Sequence, residues 1–437
     1  MPTNTATARQ GPWYYGWNVV AVCILSQVAC NGLTYNAYSL FLKSWSTDLH
    51  AKISLLQLPI AGMGIMCAVT SPFIGALADK TPPKRLFAFG LLGMALFMVG
   101  ISFARAPWQI IALYAGLVPF ALGCATAIPA NALISRWFVK RRGLALGLSA
   151  FGIGMAGVVL PPIIAKALPA IGWRAIWQVG AALTVVVVMP IVLLVLRNQP
   201  TEKEGLHYVS GDGTAAGAHG HGHGGPSSLS WRDVLKRKAF WLLIGAWLPI
   251  MAINGGVGQN MGPYAASHGF STESAGMMLS AFSLAHLVST LGLGILSDRF
   301  GNRLPFAGLA VVVAAGAATL AFGQSLPVAF LGAILVGLGG GWATLLAAGM
   351  AAEFGAEGFG RAFGLAMAFI PISALIPFVI AKTQEMTNSY APAFMGVGVV
   401  VLMGGCLILL LKERHHGHLS AAEKEAALDD AVTTPIA

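Results

Sequence analysis

Two segments of the chain repeat one another at a fixed distance. The segment GALADKTPPKR begins at Gly75 and a degraded copy, GILSDRFGNR, begins at Gly294, 219 residues later. The same spacing separates two further pairs, Asp79 and Asp298, and Arg142 and Arg361. A period that holds over most of half a chain is typical of an internal duplication. The sequence therefore predicts two related halves.

The composition indicates a membrane protein. Hydrophobic side chains make up 56% of the 437 residues and charged side chains only 10%, too few to cover a water-exposed surface. Apolar runs long enough to cross about 30 Å of hydrocarbon, about 20 residues each, can be drawn at twelve places. These spans are predicted at 17–40, 53–77, 86–104, 108–134, 143–166, 174–196, 239–264, 273–296, 304–323, 327–351, 361–382 and 391–411. The predicted fold is an all-α membrane protein whose twelve transmembrane helices form two pseudo-symmetric six-helix bundles.

The distribution of basic residues predicts the orientation. With the spans above, the tails and even-numbered loops carry 20 of the 26 Lys and Arg residues. Because basic loops are retained in the cytoplasm, both termini should be cytoplasmic, in an inner (cytoplasmic) or plasma membrane. The predicted parts are a cytoplasmic N-terminal tail 1–16, a bundle 17–196, a cytoplasmic linker 197–238, a second bundle 239–411 and a cytoplasmic C-terminal tail 412–437. The net charge of +10 lies in short loops, so no nucleic-acid partner is indicated.

The linker is rich in glycine and histidine. His219, His221 and His223 alternate with glycine or alanine, and three more histidines, at positions 415, 416 and 418, lie in the tail. Histidines on a glycine-rich chain have no built-in geometry, so we predict a solvated linker, no metal site and no cofactor. A non-transporting membrane sensor that binds metal through this linker is the alternative from another functional class.

The repeated loop motif resembles that of the major facilitator superfamily, a resemblance that covers roughly residues 15–412. Its first copy contains Gly75, Asp79, Lys84 and Arg85, and its second copy contains Gly294, Asp298, Arg299 and Arg303. The resemblance implies a contact between the halves that closes the cytoplasmic side. Carboxylates can accept hydrogen bonds from helix N-termini and pair with nearby cations. We therefore predict a cytoplasmic gate formed by both motif copies, with Arg136, Arg142 and Arg361 as candidate partners.

Within the superfamily the chain looks most like the monocarboxylate-porter and oxalate/formate-antiporter branch. The supporting segments are RWFVKRRGLALG from Arg136 and EFGAEGFGRAFG from Glu353. The resemblance implies symport or antiport of an organic acid. The sequence departs from this branch in span eight, because Thr290 occupies the place of an arginine that would pair with the substrate carboxylate.

A transport site should lie near mid-membrane between the halves. His286 in span eight is the one titratable side chain near the centre of a span, so it is the candidate for substrate binding or proton coupling. Helical spacing and polarity add a set of substrate-binding candidates: Asn31, Tyr35, Asn36, Tyr38, Asn131, Gln259, Asn260, Tyr264, Trp342 and Phe369.

No motif of an enzyme or ATPase is present, so transport would be secondary and the protein is predicted not to be an enzyme. The first hypothesis is alternating-access transport of a small organic solute, a monocarboxylate-type acid, with protons as a further partner. The second is export of neutral or amphipathic metabolites and drugs. The expected partners are this solute and the lipid bilayer, and the chain is expected to work as a monomer.

Overall fold

The chain folds into helices over the part that the structure, a computed structural model, describes. This part comprises residues 14–138, 142–199 and 231–411, and it contains no β-strand. Within these ranges, the side chains at positions 79, 142, 143, 298, 356 and 357 are not described. Most of the predicted N-terminal tail, the predicted C-terminal tail and most of the predicted linker, including its histidines, lie outside the described residues.

Eleven helical runs are long and apolar enough to cross a membrane in the described ranges. The first half contains α1 (Gly16–Asn36), α2 (Leu55–Ala78), α3 (Pro83–Ser102), α4 (Pro107–Trp137) and the run Leu144–Val195, which contains α5 (144–171) and α6 (173–195). The second half contains α7 (Lys238–Ser267), α8 (Thr272–Ser297), α9 (Arg303–Phe322), α10 (Leu326–Gly355), α11 (Gly358–Thr387) and α12 (Ala391–Ile408).

The run Leu144–Val195 contains two crossings. Its 52 residues would extend about 78 Å as one helix, more than twice the thickness of the hydrocarbon. Gly172, with φ 74° and ψ 162°, breaks the helix where the sequence predicts the loop between spans five and six. The described residues therefore make twelve crossings, and the predicted fold class is confirmed.

Helix α1 differs from the prediction of one regular span over 17–40. A π-helical turn, Gly32–Asn36, ends it, and after Ala37 the chain continues as the helix Tyr38–Asp48. A π turn contains more residues than an α turn, so it changes the direction of every later side chain. Other ends differ by a few residues; α7, for example, runs from Lys238 to Ser267 instead of 239 to 264.

Small residues hold the helices of each half together. A Cβ built on Gly90 of α3 would lie 2.6 Å from the backbone nitrogen of Ala125 in α4. A Cβ on Gly404 of α12 would likewise lie 3.2 Å from the Cα of Ala246 in α7. Between apolar helices in lipid, such close backbone contact is a main source of association.

We expect Gly172→Ala to destabilise the first half. Its backbone conformation is one that only glycine adopts readily, and a non-glycine residue there costs about 1–3 kcal/mol. No atom lies within 4 Å of a Cβ built at this position, so the cost comes from the backbone alone. The measurement is thermal unfolding of the purified protein in detergent.

The matched control is Gly396→Ala in α12, where a Cβ also meets no atom within 4 Å and the backbone is helical. This control should unfold at or above the parent temperature, because alanine favours a helix over glycine. If both variants unfolded at the same temperature, strain at Gly172 would be refuted.

Candidate functional site

The two membrane faces of the protein differ in how the halves meet. With twelve crossings, the helix ends Gly16, Val195, Lys238 and Ile408 lie on one side, here called the terminal face, and the other side is the opposite face. Contacts to Trp137 support this placement, because its carbonyl accepts from the Tyr14 hydroxyl and its indole nitrogen donates to the Arg197 carbonyl at 3.0 Å.

Helices α5 and α8 are in close contact toward the opposite face. A Cβ built on Gly154 would lie 2.9 Å from Leu287 Cδ1, and one on Gly157 would lie 2.8 Å from the Cβ of Ser283. Closer to the opposite face, a Cβ on Gly276 of α8 would lie 2.8 Å from the Pro161 carbonyl oxygen of α5. These glycines therefore permit a contact between the halves that a side chain would prevent.

Two further helix pairs join the halves on the same side. A Cβ on Gly64 of α2 would lie 3.0 Å from Ala374 of α11. A Cβ on Gly262 of α7 would lie 2.7 Å from the carbonyl carbon of Ser39, in the helix Tyr38–Asp48. The opposite face is thus closed by three pairs of elements that come from different halves.

The same helices have open space beside them toward the terminal face. No atom outside the local helix lies within 4 Å of a Cβ built on Gly75, Gly147, Gly360 or Gly364. Gly147 and Gly157 belong to one helix, about 15 Å apart, so α5 goes from open space to tight contact along its length. The halves therefore separate toward the terminal face.

Polar bonds reinforce the closed opposite face. The Glu385 carboxylate of α11 accepts from the Ser54 backbone N–H at 2.9 Å and from its hydroxyl at 2.8 Å. The Gln57 amide nitrogen donates to the Gln259 carbonyl at 2.9 Å and to Asn260 Oδ1 at 3.1 Å. Hydrogen bonds to a carboxylate are stronger than neutral ones, so Ser54–Glu385 is the firmer of the two contacts.

Uncharged polar groups meet at the centre of the interface, an arrangement here called the central junction. Gln259 donates to the Tyr35 carbonyl at 3.2 Å, and the Tyr35 hydroxyl lies beside Gly255 of α7. Asn36 donates to the Ile153 carbonyl of α5 at 3.3 Å. The central junction consists of Tyr35, Asn36, Gln259 and Ser283, contributed by α1, α7 and α8.

His286 lies one turn from Ser283 along α8, toward the terminal face. Its ring rests on Gly340 of α10, where a Cβ would collide with the imidazole. Gly340 belongs to the 3₁₀ segment Leu338–Gly341, which lets α10 pass close to α8. The Thr290 hydroxyl donates to the His286 carbonyl at 2.9 Å. Thr290 is uncharged, so it offers no cation at the position where the related branch has an arginine.

The structure does not bring all candidate residues to this centre. Tyr38 is fully buried in the first half, bonded to the Leu56 carbonyl and packed against Trp45 and Tyr114, because the π turn directs it away from Tyr35. Regular helical spacing predicts Asn31, Tyr35 and Tyr38 on one face of span one, and for Tyr38 this prediction was wrong. Asn31 instead donates to the carbonyl of the preceding turn, at 3.0 Å.

Other candidates lie apart from the central junction. Tyr264 donates to the Leu320 carbonyl at 2.9 Å inside the second half, and Phe369 lies in an aromatic cluster with Phe240 and Trp241. Trp342 packs against Trp247, with 5.6 Å between ring centres. Asn131 is exposed on α4. Asn260 joins α7 to α11, because its amide donates to the Pro377 carbonyl at 3.1 Å.

The predicted gate residues lie at the terminal ends of their helices, where the halves are apart. Gly294 meets only Thr344 of its own half, and the Arg303 guanidinium donates to the Leu409 carbonyl. The Lys84 backbone N–H bonds to Asn198 at 3.1 Å, whereas Arg85, Arg136, Arg299 and Arg361 are exposed. The side chains of Asp79, Asp298 and Arg142 are outside the described residues, so the gate stays a prediction.

Sequence reasoning missed several residues of the interface. Ser54, Gln57, Ser283 and Glu385 were not selected, since a contact between halves has no periodic signal. Gln57 offered one clue, an amide at the start of an apolar span. In the described part of the chain, no group of three or more His, Cys, Asp or Glu side chains could hold a metal ion.

The structure has two six-helix bundles around uncharged polar groups, and the bundles are joined at the opposite face and apart at the terminal face. This architecture defines a helical membrane transporter for small solutes. A family profile described as Major Facilitator Superfamily matches residues 24–277 and 256–436, and the chain belongs to this family.

Relatives and solved structures agree with this assignment. The chain is 25% identical over 363 residues to an agnestins efflux protein of Paecilomyces divaricatus, covering 81% of this chain and 77% of the relative. It is 26% identical over 208 residues to a riboflavin transporter of Trypanosoma brucei brucei, covering 46% and 37%. A bacterial homologue of the human lysosomal transporter Spinster, in an inward-facing and unoccupied conformation, shares the fold with a TM-score of 0.69, at 16% identity and with 92% and 97% coverage.

We expect Glu385→Gln to favour opening of the opposite face. The amide removes the negative charge and one of two acceptors for Ser54, a loss of about 1.5–3 kcal/mol. The measurement is the labelling rate of a cysteine introduced at Gln57, which is fully buried beneath this contact.

The control for this experiment is Asp48→Asn. Asp48 pairs with Arg174 at 2.7 Å within the first half, so its loss should leave the labelling rate unchanged. Equal rates in all three proteins would show that the Ser54–Glu385 contact does not hold the halves together.

Proposed function

We propose that the protein is a secondary active transporter that carries a small neutral or amphipathic organic solute by alternating access. The observation that supports this proposal is the chemistry of the central junction, where two amides, a serine hydroxyl and a tyrosine lie at the interface. The Lys, Arg, Asp and Glu residues of the described helices lie toward helix ends. A few uncharged polar groups within apolar walls suit a solute that is itself largely apolar and uncharged.

The names of the relatives are compatible with such a solute. They include an efflux protein for agnestins and riboflavin transporters. The sequence hypothesis of a monocarboxylate remains the second candidate, and His286 is the observation that favours it. A protonated imidazole could pair with a carboxylate or carry a coupled proton.

Transport into proteoliposomes separates these candidates. The panel should contain flavins and aromatic polyketides on one side, and lactate, formate and oxalate on the other, each with and without an imposed pH gradient. Uptake of neutral solutes supports the first candidate. Uptake of acids alone, driven by the gradient, would replace it with the second, and no uptake of any solute would contradict transport.

We expect His286→Ala to lower transport by about tenfold at every pH, the effect of losing one hydrogen bond near the solute. His286→Gln should recover part of the rate, because an amide can still donate or accept. A pH dependence that disappears in both variants would assign the proton to this imidazole.

The matched control is His268→Gln, at the opposite-face end of α7, where the ring contacts the Tyr264 carbonyl at 2.9 Å. This variant should transport normally. If His286→Ala also transported normally at every pH, then His286 would only fill space against Gly340.

The orientation is a further part of the proposal. The Lys and Arg distribution favours cytoplasmic termini, and the halves would then be open to the cytoplasm in this structure. A membrane-impermeant maleimide applied to intact cells should label a cysteine at Lys166, on the opposite face, but not one at Lys84. The reverse pattern would invert the orientation.

A further inference from the structure

An open cavity lies between the halves at the opposite face. Its volume is about 500 Å³, within the range of sites for small organic molecules. The first half contributes His50, Lys52, Ser54 and Leu55 to its wall, and the second half contributes Phe378 and Lys382. This cavity is here called the vestibule.

Positive groups from both halves face the vestibule. Lys52 is exposed on the loop before α2, and the side chain of Lys382 on α11 is 46% exposed. The backbone of His50 is left-handed, with φ 49°, which turns the chain sharply between Asp48 and Lys52. Lysines from different halves therefore border one space.

The nearby acids offset only one of the two lysines. Glu385 lies 3.7 Å from the Lys382 ammonium, but its two oxygens also accept both hydrogen bonds from Ser54. Asp48 is engaged elsewhere, because its Oδ2 accepts from Trp173 at 2.8 Å and from Arg174 at 2.7 Å. Two lysines against one shared carboxylate leave the vestibule positively charged.

We propose that the vestibule binds a small organic anion with an apolar body. Its carboxylate lies between Lys52 and Lys382, and its body packs against Leu55 and Phe378. This site is separate from the central junction, which contains uncharged groups. The inference does not depend on the identity of the transported solute.

Occupation of the vestibule stabilises the closed opposite face. The site is complete only while the loop before α2 and α11 are close together, and opening would move Lys382 away from Lys52. A ligand that binds one conformation better shifts the equilibrium toward it. The bound anion therefore slows the cycle from the opposite face.

Thermal unfolding of the purified full chain tests binding, with benzoate as the probe and benzamide as its uncharged counterpart. Benzoate should raise the unfolding temperature, whereas benzamide should not, since the carboxylate makes the contact with the lysines. Lys52→Gln and Lys382→Gln should each weaken benzoate binding by about tenfold, equivalent to about 1.4 kcal/mol. Lys43→Gln, an exposed lysine on the helix before the vestibule, should bind as the parent does.

Three results would overturn the proposal. The first is an equal shift with benzamide, and the second is equal weakening in Lys43→Gln. The third is loss of binding in His286→Gln with normal binding in Lys52→Gln, which would place the anion at the central junction. Failure of this test leaves the transport assays unaffected, because those do not use the vestibule lysines.

A conformational measurement tests the second part of the proposal. Spin labels at positions 166 and 386 lie on exposed sites at the opposite-face ends of α5 and α11, in different halves. Saturating benzoate should increase the population with the shorter distance. An unchanged or longer distance distribution would show that the anion does not favour closure.

Discussion

The structure depends on the close contact between α5 and α8 at the opposite face. In lipid, apolar helices gain little from hiding apolar surface, so association relies on how closely their backbones can pack. Gly154, Gly157 and Gly276 permit this contact, whereas Gly147 on α5 faces open space. Helix α5 therefore contains both the contact that holds the halves together and the region where they separate, as a movement of rigid halves requires.

Rigid halves in turn require strong packing inside each bundle. The contacts of Gly90 with Ala125 and of Gly404 with Ala246 bring helices of one half to backbone distance. The central junction, by contrast, contains a bond between the halves, from Gln259 to the Tyr35 carbonyl. When the opposite face opens, the bonds inside the halves persist and those of the junction change. In the proposed transport cycle, the central junction is thereby coupled to the closure of the interface.

Much of the fold could be predicted from the sequence, but only part of the site could. Hydropathy identified twelve spans because each crossing must be long and apolar, and the repeat identified two halves. Tyr38 was misplaced because regular helical spacing does not anticipate the π turn before it. Ser54 and Glu385 lie 331 residues apart and meet only through the arrangement of the bundles, which no local pattern encodes. His286 was selected by its depth, yet its contact with Gly340 needed the structure.

The opposite face combines two interactions through one lysine. An ammonium group has three donors, so Lys382 can contact Glu385 and still donate to a second anion. A carboxylate in the vestibule therefore need not displace Glu385 from Ser54, and the two contacts add to one another. Opening of the opposite face would break the Ser54–Glu385 contact and the lysine contacts of the anion at once. Glu385 and the anion would then each have to be hydrated separately. An anion bound in the vestibule consequently raises the free energy of opening the opposite face. It does so without contacting the uncharged central junction.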